Sequence, residues 1–257
     1  MSDRPKRRGA VVLSSFVDAI TGGEAVDLIL HWGRNRESRY VCAANVHSVV
    51  TARTDVGLNR ALSGADLNVP DGAPVAWSLR QQGFREQRRV AGPDLVEMLC
   101  SKASRTSIGF YLYGSTEETL RDLEGRLVER FPGLRIVGRN SPPFRVLSTE
   151  EDKVAIERIN SSGAHIVLVG LGCPKQELWM AAHKGRIAAV MLGVGAAFDF
   201  HAGAKSRAPR WLQSLGLEWL YRLGQEPLRL WRRYLVTNIL FMILTAKRFI
   251  FSQKERS

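Results

Sequence analysis

Cysteine is scarce in this chain, and the three that occur form no recognisable metal or redox pattern. Cys42, Cys100 and Cys173 are scattered through 257 residues without a Cys-x-x-Cys spacing, which argues against a zinc-binding module. We interpret them as small, buried, apolar side chains of a protein that stays in a reducing compartment. The five histidines show no metal-binding spacing either, so we expect neither a metal nor a cofactor.

Long hydrophobic runs are also missing. The apolar run at residues 234–246 has thirteen residues, whereas about 20 are needed to cross the hydrocarbon core of a bilayer. The chain opens with a basic cluster (Arg4, Lys6, Arg7 and Arg8) that leads into a mixed segment, not into the apolar core of a signal peptide. We therefore expect a cytoplasmic protein.

A third missing pattern is the dinucleotide-binding fingerprint. Gly170-Leu171-Gly172-Cys173-Pro174 follows a predicted strand and precedes a predicted helix, where free backbone N–H groups favour a phosphate. No glycine lies three residues after Gly172, which disfavours an NAD(P)-linked oxidoreductase. On its own, the motif is compatible with phosphate binding or with a simple tight turn between a strand and a helix.

Positive charge, in contrast, is in excess and unevenly distributed. The formal net charge is +12, and residues 205–257 contain eleven basic and three acidic side chains, so this segment carries eight of the twelve charges. Such a balance indicates an anionic partner: a phosphorylated substrate, a nucleic acid or an acidic membrane surface. Nucleic acid is disfavoured, because the basic residues alternate with apolar positions and no nucleic-acid-binding motif is recognisable.

Short apolar runs alternate with helical patterns along most of the chain, and glycines follow several predicted strand ends. This alternation predicts an α/β fold with a parallel, Rossmann-like sheet and helices on both faces. We divide the chain into a disordered basic N-terminus (1–10), an α/β core (11–203) and a basic helical C-terminal appendage (204–257). At the start of the core we predict a strand at 11–13 and a helix over 16–32.

The apolar run at residues 234–246 is bracketed by Arg232 and Arg233 on one side and by Lys247 and Arg248 on the other. A short apolar helix with basic flanks is typical of a helix that lies in the headgroup region of an anionic leaflet. A buried helix that closes the core, or a helix in a homo-oligomer interface, fits the pattern equally well.

Polar side chains follow two short predicted strands. Asn45 comes after Tyr40-Val41-Cys42-Ala43-Ala44 and fits a helix N-cap that leads into one helix carrying Val46 and Leu58 inward. Asp71 comes after the second strand and could also cap a helix. Alternatively, an apolar pocket that raised its pKa would make Asp71 a general base.

Seven stretches, in this order, together resemble the WecG/TagA/CpsF glycosyltransferases between about residues 10 and 235. They are Asn45-Val46-His47, the run from Ala65 through Asp71-Gly72, Arg89-Val90-Ala91-Gly92-Pro93-Asp94-Leu95, Gly170-Leu171-Gly172-Cys173-Pro174-Lys175-Gln176-Glu177, Gly193-Val194-Gly195-Ala196-Ala197-Phe198-Asp199-Phe200, Arg207-Ala208-Pro209, and the run from Gly216 through Glu218-Trp219 to Arg229. Each motif alone is weak, but seven in one order are specific.

The resemblance implies an inverting, metal-independent transferase. Such an enzyme moves a sugar (N-acetylmannosamine, its uronic acid or another hexose) from a UDP-sugar to a sugar on a polyprenyl diphosphate, at the inner face of the cell membrane, during cell-surface polysaccharide synthesis. Asp71 would be the general base. The substrate-binding residues would be Asn45, Arg89, Gln176, Asp199, Arg222, Arg229 and Arg232, the last three reaching from the tail to the diphosphate. Because the chain has no Asp-x-Asp pair, arginines and helix N-termini would supply the charge that a cation supplies elsewhere.

One position departs from the pattern of the resemblance. Several family members carry a hydroxyl residue two positions before the strand-end asparagine, and this chain has Ala43. The missing hydroxyl leaves the identity of the sugar open. The alternative to an enzyme is a non-catalytic module that binds nucleotide sugars or anionic lipids on the same fold, because a fold does not fix a function.

Overall fold

The structure, a computed structural model, describes residues 7–254, with side chains for residues 7–247. The strands in this range are β1 (Gly9–Val12), β2 (Ser15–Asp18), β3 (Arg39–Ala44), β4 (Leu67–Pro70), β5 (Gly109–Gly114), β6 (Arg135–Asn140), β7 (Ile166–Gly170) and β8 (Val190–Gly193). The helices are α1 (Gly22–Arg34), α2 (Val46–Thr51), α3 (Val56–Gly64), α4 (Ala73–Gln81), α5 (Gly92–Ala103), α6 (Glu117–Arg130), α7 (Thr149–Ser161), α8 (Lys175–His183), α9 (Ala197–His201), α10 (Arg210–Ser214), α11 (Glu218–Gln225) and α12 (Pro227–Lys254).

Six strands form one parallel sheet in the order β4-β3-β8-β7-β5-β6, which confirms the predicted fold class. The central strands are buried on both faces, as expected for parallel strands rich in Val, Ile and Leu. One face packs against α1, α5, α6 and α9, and the other against α3, α7 and α8. The carboxyl ends of β3, β4, β7 and β8 lie side by side at the edge where such sheets bind ligands.

The helix predicted over residues 16–32 is wrong at its start. Residues 15–18 instead form β2, which pairs antiparallel with β1 through a turn that holds Leu13 at a φ of 56°. Helix α1 begins at Gly22 because Thr21 and Glu24 form a capping box: Thr21 Oγ1 accepts the Glu24 N–H at 3.2 Å, and the Glu24 carboxylate accepts the Thr21 N–H at 2.8 Å. The Thr-x-x-Glu spacing marks the true helix start.

The hairpin of β1 and β2 is tied to the sheet by Asp18. Its carboxylate accepts hydrogen bonds from Arg7 Nε at 2.7 Å and from the Asn68 N–H at 2.6 Å, while Asn68 Nδ2 donates to the Phe16 carbonyl at 2.9 Å. The predicted disorder of residues 1–10 is therefore wrong for the part from Arg7 onwards. Residues 1–6 lie outside the described residues.

Asn45 caps α2 as predicted, since its Oδ1 accepts the Ser48 N–H at 3.1 Å. The helix ends at Thr51, however, and Asp55 caps a new helix, α3, by accepting the Leu58 N–H at 2.9 Å. The single helix expected to carry both Val46 and Leu58 is thus two helices.

The C-terminal segment, residues 204–257, contains α10, α11 and α12. Helix α12 packs against α2 and α11 and buries Leu230, Thr237, Phe241 and Thr245 along one face. Phe241 joins a core cluster that includes Val12, Val49, Val75 and Leu79. One face of α12 therefore closes the core, as one of the alternatives for this run predicted.

The opposite face of α12 is apolar and exposed, with large side chains at Leu228, Leu235, Val236, Ile239 and Met242. Within residues 7–254, no helix is both long enough and apolar enough to cross a membrane.

Candidate active site

A cleft of about 820 Å³ opens at the carboxyl ends of the strands and is roofed by α11 and α12. Seven of the eight residues predicted for the site line this one cleft: Asn45, Asp71, Arg89, Gln176, Asp199, Arg222 and Arg229. The eighth, Arg232, is exposed and outside the lining, with its guanidinium carbon 6.0 Å from the Trp231 ring. The structure therefore gathers residues that are far apart in sequence, and their individual roles remain predictions.

Asp71 does not cap a helix. The N-cap of α4 is Gly72, at a φ of 94°, and no side chain caps this helix. The backbone N–H of Asp71 instead extends the pairing of β4 with β3 by donating to the Ala44 carbonyl at 2.9 Å. The interpretation of Asp71 as a cap is wrong, and its partly buried carboxylate lies in the cleft.

Burial raises the pKa of Asp71 to about 6, and the nearby negative charge of Glu218 adds to this effect. The positive charges of Arg89 and Arg222, together with a hydrogen bond to the Asn45 side chain, act in the opposite direction. Asp71 is thus a stronger base than an ordinary aspartate, yet it is largely ionised at neutral pH.

Arg89 is engaged by the C-terminal segment. Its Nη1 donates to Glu218 Oε2 at 2.7 Å, and its Nη2 donates to Gln213 Oε1, also at 2.7 Å. Arg207 reaches the other oxygen of Glu218 at 3.4 Å and also pairs with Asp94. Sequence reasoning quoted Glu218 only as part of a motif and assigned it no role.

Gln176 sits at the floor of the cleft and is held by its neighbours. Its Oε1 accepts the Gly172 N–H at 3.2 Å, and its Nε2 donates to Glu177 at 2.9 Å. Glu177 is buried, its Oε2 has no hydrogen-bond partner, and burial raises its pKa. Gly170 must be glycine, because a Cβ there would lie 2.5 Å from the Phe198 ring.

Asp199 lines the cleft as a paired carboxylate, 2.7 Å from Lys205 Nζ. The same lysine lies 3.1 Å from Glu226, and Glu226 in turn pairs with Arg229 at 2.7 Å. Asp199 and Arg229 are therefore joined through one chain of ion pairs. The charge of each is partly neutralised by its partner before it can act on a ligand in the cleft.

Arg222 and Arg233 are the cleft arginines for which the described residues provide no acidic partner. The guanidinium carbon of Arg222 lies 5.4 Å from the Phe200 ring. Arg233 is partly buried, its Nε has no hydrogen-bond partner, and burial, with a smaller contribution from Arg222 and Arg229, lowers its pKa. Burial and the charge of Arg233 also lower the pKa of His47 to about 4, so this imidazole is uncharged.

Sequence reasoning missed Arg233 and chose Arg232 beside it. A signal was present in the helical period, because Leu230, Arg233, Thr237 and Phe241 are spaced so that they share one face of α12, whereas Arg232 points about 100° away from Arg233. Once Leu230 and Phe241 are placed in the core, Arg233 must follow them toward the protein.

In the part of the chain with described side chains, no group of three or more His, Cys, Asp or Glu residues is arranged to hold a metal ion. Four arginines line the cleft (Arg89, Arg222, Arg229 and Arg233), and residues at the start of α8 line it as well, where backbone N–H groups favour an anion.

Comparison with protein families agrees with the site and with the resemblance noted in the sequence. The family model described as the glycosyl transferase WecG/TagA/CpsF family matches residues 10–255, which includes the sheet, the cleft and the C-terminal segment. Members of this family transfer sugars in the synthesis of cell-surface polysaccharides. With nearly its whole length covered by the match, the chain belongs to the WecG/TagA/CpsF family of glycosyl transferases.

Proposed function

We propose that this glycosyl transferase is an inverting, metal-independent enzyme. It would move a hexose such as N-acetylmannosamine, or its uronic acid, from a UDP-sugar to a sugar on a polyprenyl diphosphate. The observation that carries this proposal is Asp71, a carboxylate with a raised pKa in a cleft that also holds Arg222 and Arg233, two arginines that have no acidic partner among the side chains of residues 7–247.

In the proposed reaction, Asp71 takes the proton of the acceptor hydroxyl as its oxygen attacks the anomeric carbon of the donor. The bond between that carbon and the diphosphate oxygen breaks on the opposite face, so the configuration inverts. At pH 7 a carboxyl group with a pKa of about 6 is about 90% ionised and accepts a proton more readily than an ordinary aspartate. The general base is then available without help from a metal ion.

The departing nucleoside diphosphate carries the negative charge that must be stabilised. Arg222 and Arg233 can donate to it in the paired geometry that guanidinium groups offer to phosphates. Backbone N–H groups at the start of α8, a nine-residue helix, add partial positive charge at the same end of the cleft. Arg229 would join them after exchanging Glu226 for the ligand.

We propose that the exposed face of α12 binds the anionic membrane surface that contains the lipid-linked acceptor. Leu228 is 92% exposed and Met242 is 62% exposed, and Arg229, Arg232 and Lys247 lie along the same helix. An apolar face with basic residues favours binding to anionic lipid. Trp231 is both half-exposed and part of the cleft lining, so a lipid that lies along α12 leads to the site.

The catalytic proposal is tested with a panel of UDP-sugars and a polyprenyl-diphosphate-sugar acceptor. Asp71→Asn should lower the transfer rate by roughly 10²–10⁴-fold, as expected for loss of a general base. Asp27→Asn, which changes an exposed carboxylate paired with Lys102 on α5, is the control and should retain the rate. If Asp71→Asn stays within a few-fold of the unchanged protein, Asp71 is not the base. Tight UDP binding without transfer to any acceptor would support the binding module instead.

The membrane proposal is tested by sedimentation with vesicles that contain anionic lipid, since an anionic surface attracts basic helices. Leu228→Ser combined with Val236→Ser, two exposed residues of α12 outside the cleft lining, should reduce binding. Val128→Ser, which changes an exposed valine on α6, should not. Unchanged binding of the double variant together with a change in oligomer size would support an oligomer interface on this face.

A further inference from the structure

The carboxylate of Glu218 on α11 is one of the contacts that hold the C-terminal segment over the cleft. Each oxygen of Glu218 has a different cationic partner: Oε2 accepts from Arg89 at 2.7 Å and Oε1 from Arg207 at 3.4 Å. Both arginines also approach Asp94 in the first turn of α5. Glu218 therefore joins α11 to the residues that lead into α5, on the side of the cleft where Arg89 lies.

Glu218 also lines the cleft together with Asp71. The charged groups that act most strongly on Asp71 come from two places: Glu218 and Arg222 on α11, and Arg89 before α5. The neutral Asn45 side chain, at the start of α2, adds a hydrogen bond. His47, Arg233 and the Asp199–Lys205 pair line other parts of the cleft. Burial is the main cause of the raised pKa of Asp71, and the negative charge of Glu218 is the next largest.

Arg89 is the cation that both carboxylates share electrostatically. It donates to Glu218, and its charge acts on Asp71 in the direction that weakens the base. While Glu218 and Gln213 occupy both terminal nitrogens of Arg89, the guanidinium is held by the C-terminal segment and does not pair with Asp71. Removing the Glu218 charge would take away a negative neighbour of Asp71 and also leave Arg89 available to pair with it.

We propose that Glu218 is a positioning residue of this active site. It holds Arg89 in an ion pair and places a negative charge beside Asp71, so that Asp71 becomes a strong base only when the C-terminal segment is closed. Base strength and closure are then linked through a single side chain. A cleft left open at α11 would have a more solvated, ordinary aspartate, which protects a donor sugar from premature attack by water. This inference rests on the proposed role of Asp71 as the general base. The effect of Glu218 on the pKa of Asp71 does not depend on that role.

The test is a titration of the Asp71 carboxyl carbon by NMR in ¹³C-aspartate-labelled protein, with Asp71→Asn to assign the signal. The midpoint should lie near 6 in the unchanged protein and should fall in Glu218→Gln by at least about 0.3 pH unit, a twofold change in proton affinity. Glu97→Gln removes a carboxylate paired with Arg130 outside the cleft and should leave the midpoint where it is. Glu218→Asp keeps the charge on a shorter side chain and should give an intermediate midpoint, and it keeps the test decisive if the glutamine variant does not fold.

An unchanged or raised midpoint in the folded Glu218 variants would overturn the inference. The acidic limb of kcat/KM should move with the NMR midpoint, a response that a merely structural role of Glu218 would not produce. If the NMR midpoint falls but no sugar transfer is found for any donor, the proposed function fails while the inference stands. If transfer occurs with an acidic limb that Glu218→Gln does not move, the inference fails while the proposed function stands.

Discussion

Replacing Asp71 with asparagine should make the protein more stable at neutral pH and leave its stability unchanged in acid. The raised pKa of Asp71 means that the fold disfavours the ionised carboxylate, which the protein must nevertheless hold at pH 7. Asparagine has nearly the same shape, carries no charge and can still form a hydrogen bond with Asn45. Asp71→Asn therefore removes the electrostatic cost and retains the packing.

The size of the effect follows from the pKa shift. The pKa rises from 3.8 to about 6, and each unit corresponds to about 1.4 kcal/mol, so the ionised carboxylate costs at most about 3 kcal/mol. For a chain of this length, 1 kcal/mol changes Tm by about 2–4 °C, so the gain should be several degrees.

The pH dependence has a definite sign. Below pH 3.8, Asp71 is protonated in both the folded and the unfolded chain, and the variant has no advantage. Between pH 3.8 and about 6 the unfolded chain releases the proton while the folded chain keeps it, so the unchanged protein loses stability as the pH rises. Above about pH 7 the difference between the two proteins is constant and at its largest.

Urea unfolding at a series of pH values between about 4 and 8 measures this difference without any substrate. Asp27→Asn is the control, since Asp27 is exposed on α1 and its replacement should give no pH-dependent gain. The reasoning is refuted if the difference in the free energy of unfolding does not change with pH, or if the variant is less stable than the unchanged protein at pH 8. Either result would mean that burial and Glu218 do not disfavour the ionised form of Asp71.

Four further outcomes follow from the packing and the charges. Asp66→Asn should destabilise the protein at pH 7, with a loss that shrinks in acid. Burial alone would raise the pKa of Asp66, but hydrogen bonds from Lys184 and Arg39 outweigh burial and lower it, and breaking such a buried pair costs about 3–5 kcal/mol in urea unfolding. Phe241→Ala should cost about 3–5 kcal/mol, whereas Met242→Ala, at an exposed position on the same helix, should stay within about 0.5 kcal/mol. Gly114→Ala should destabilise by at least about 1–3 kcal/mol, because its φ is 114° and a Cβ would lie 2.7 Å from the Gly170 carbonyl carbon, while Gly125→Ala on α6 meets no atom and should be neutral or stabilising in thermal unfolding. Arg233→Gln should weaken UDP binding by roughly tenfold or more in calorimetry, as loss of a charge-assisted hydrogen bond predicts, and Arg232→Gln should change it less.

The parallel sheet could be predicted from the sequence because its signals are local. Runs such as Ile166-Val167-Leu168-Val169 end at glycine, and the helices between them begin at clear caps such as Ser148 with Glu151. The N-terminal hairpin could not be predicted in the same way. Phe16 and Val17 are adjacent, so the four residues of β2 do not show the alternation of apolar and polar side chains that marks a strand. The strand is instead held by contacts of Asp18 with the distant Arg7 and Asn68.

The cleft was predictable in part for the same reason. Asn45 and Asp71 directly follow strand ends, and the carboxyl ends of parallel strands must meet at one edge. Gln176, inside α8, was predicted for the site only through the resemblance to the family. The partners of these residues were not predictable, because they depend on how the C-terminal segment folds back over the edge. Glu218 and Arg233 enter the site from α11 and α12, and no local pattern states which face of a helix will pack against the sheet until the buried residues are known.

The C-terminal segment supplies groups of opposite charge to the two ends of the proposed reaction. In that proposal Glu218 would strengthen the base, and Arg222 and Arg233 would offer positive charge to the leaving group, although the charge of Arg222 lowers the pKa of Asp71. All three are on α11 and α12, and α12 is the helix whose outer face is apolar and exposed. If that face of α12 binds the membrane that contains the acceptor, the same contact would hold α11 and α12 over the cleft, with Glu218, Arg222 and Arg233 in place. Transfer in solution should then be slow even with a water-soluble acceptor, and anionic vesicles without any acceptor lipid should accelerate it. If the transfer rate is the same with and without such vesicles, membrane binding is not what positions α11 and α12 over the cleft.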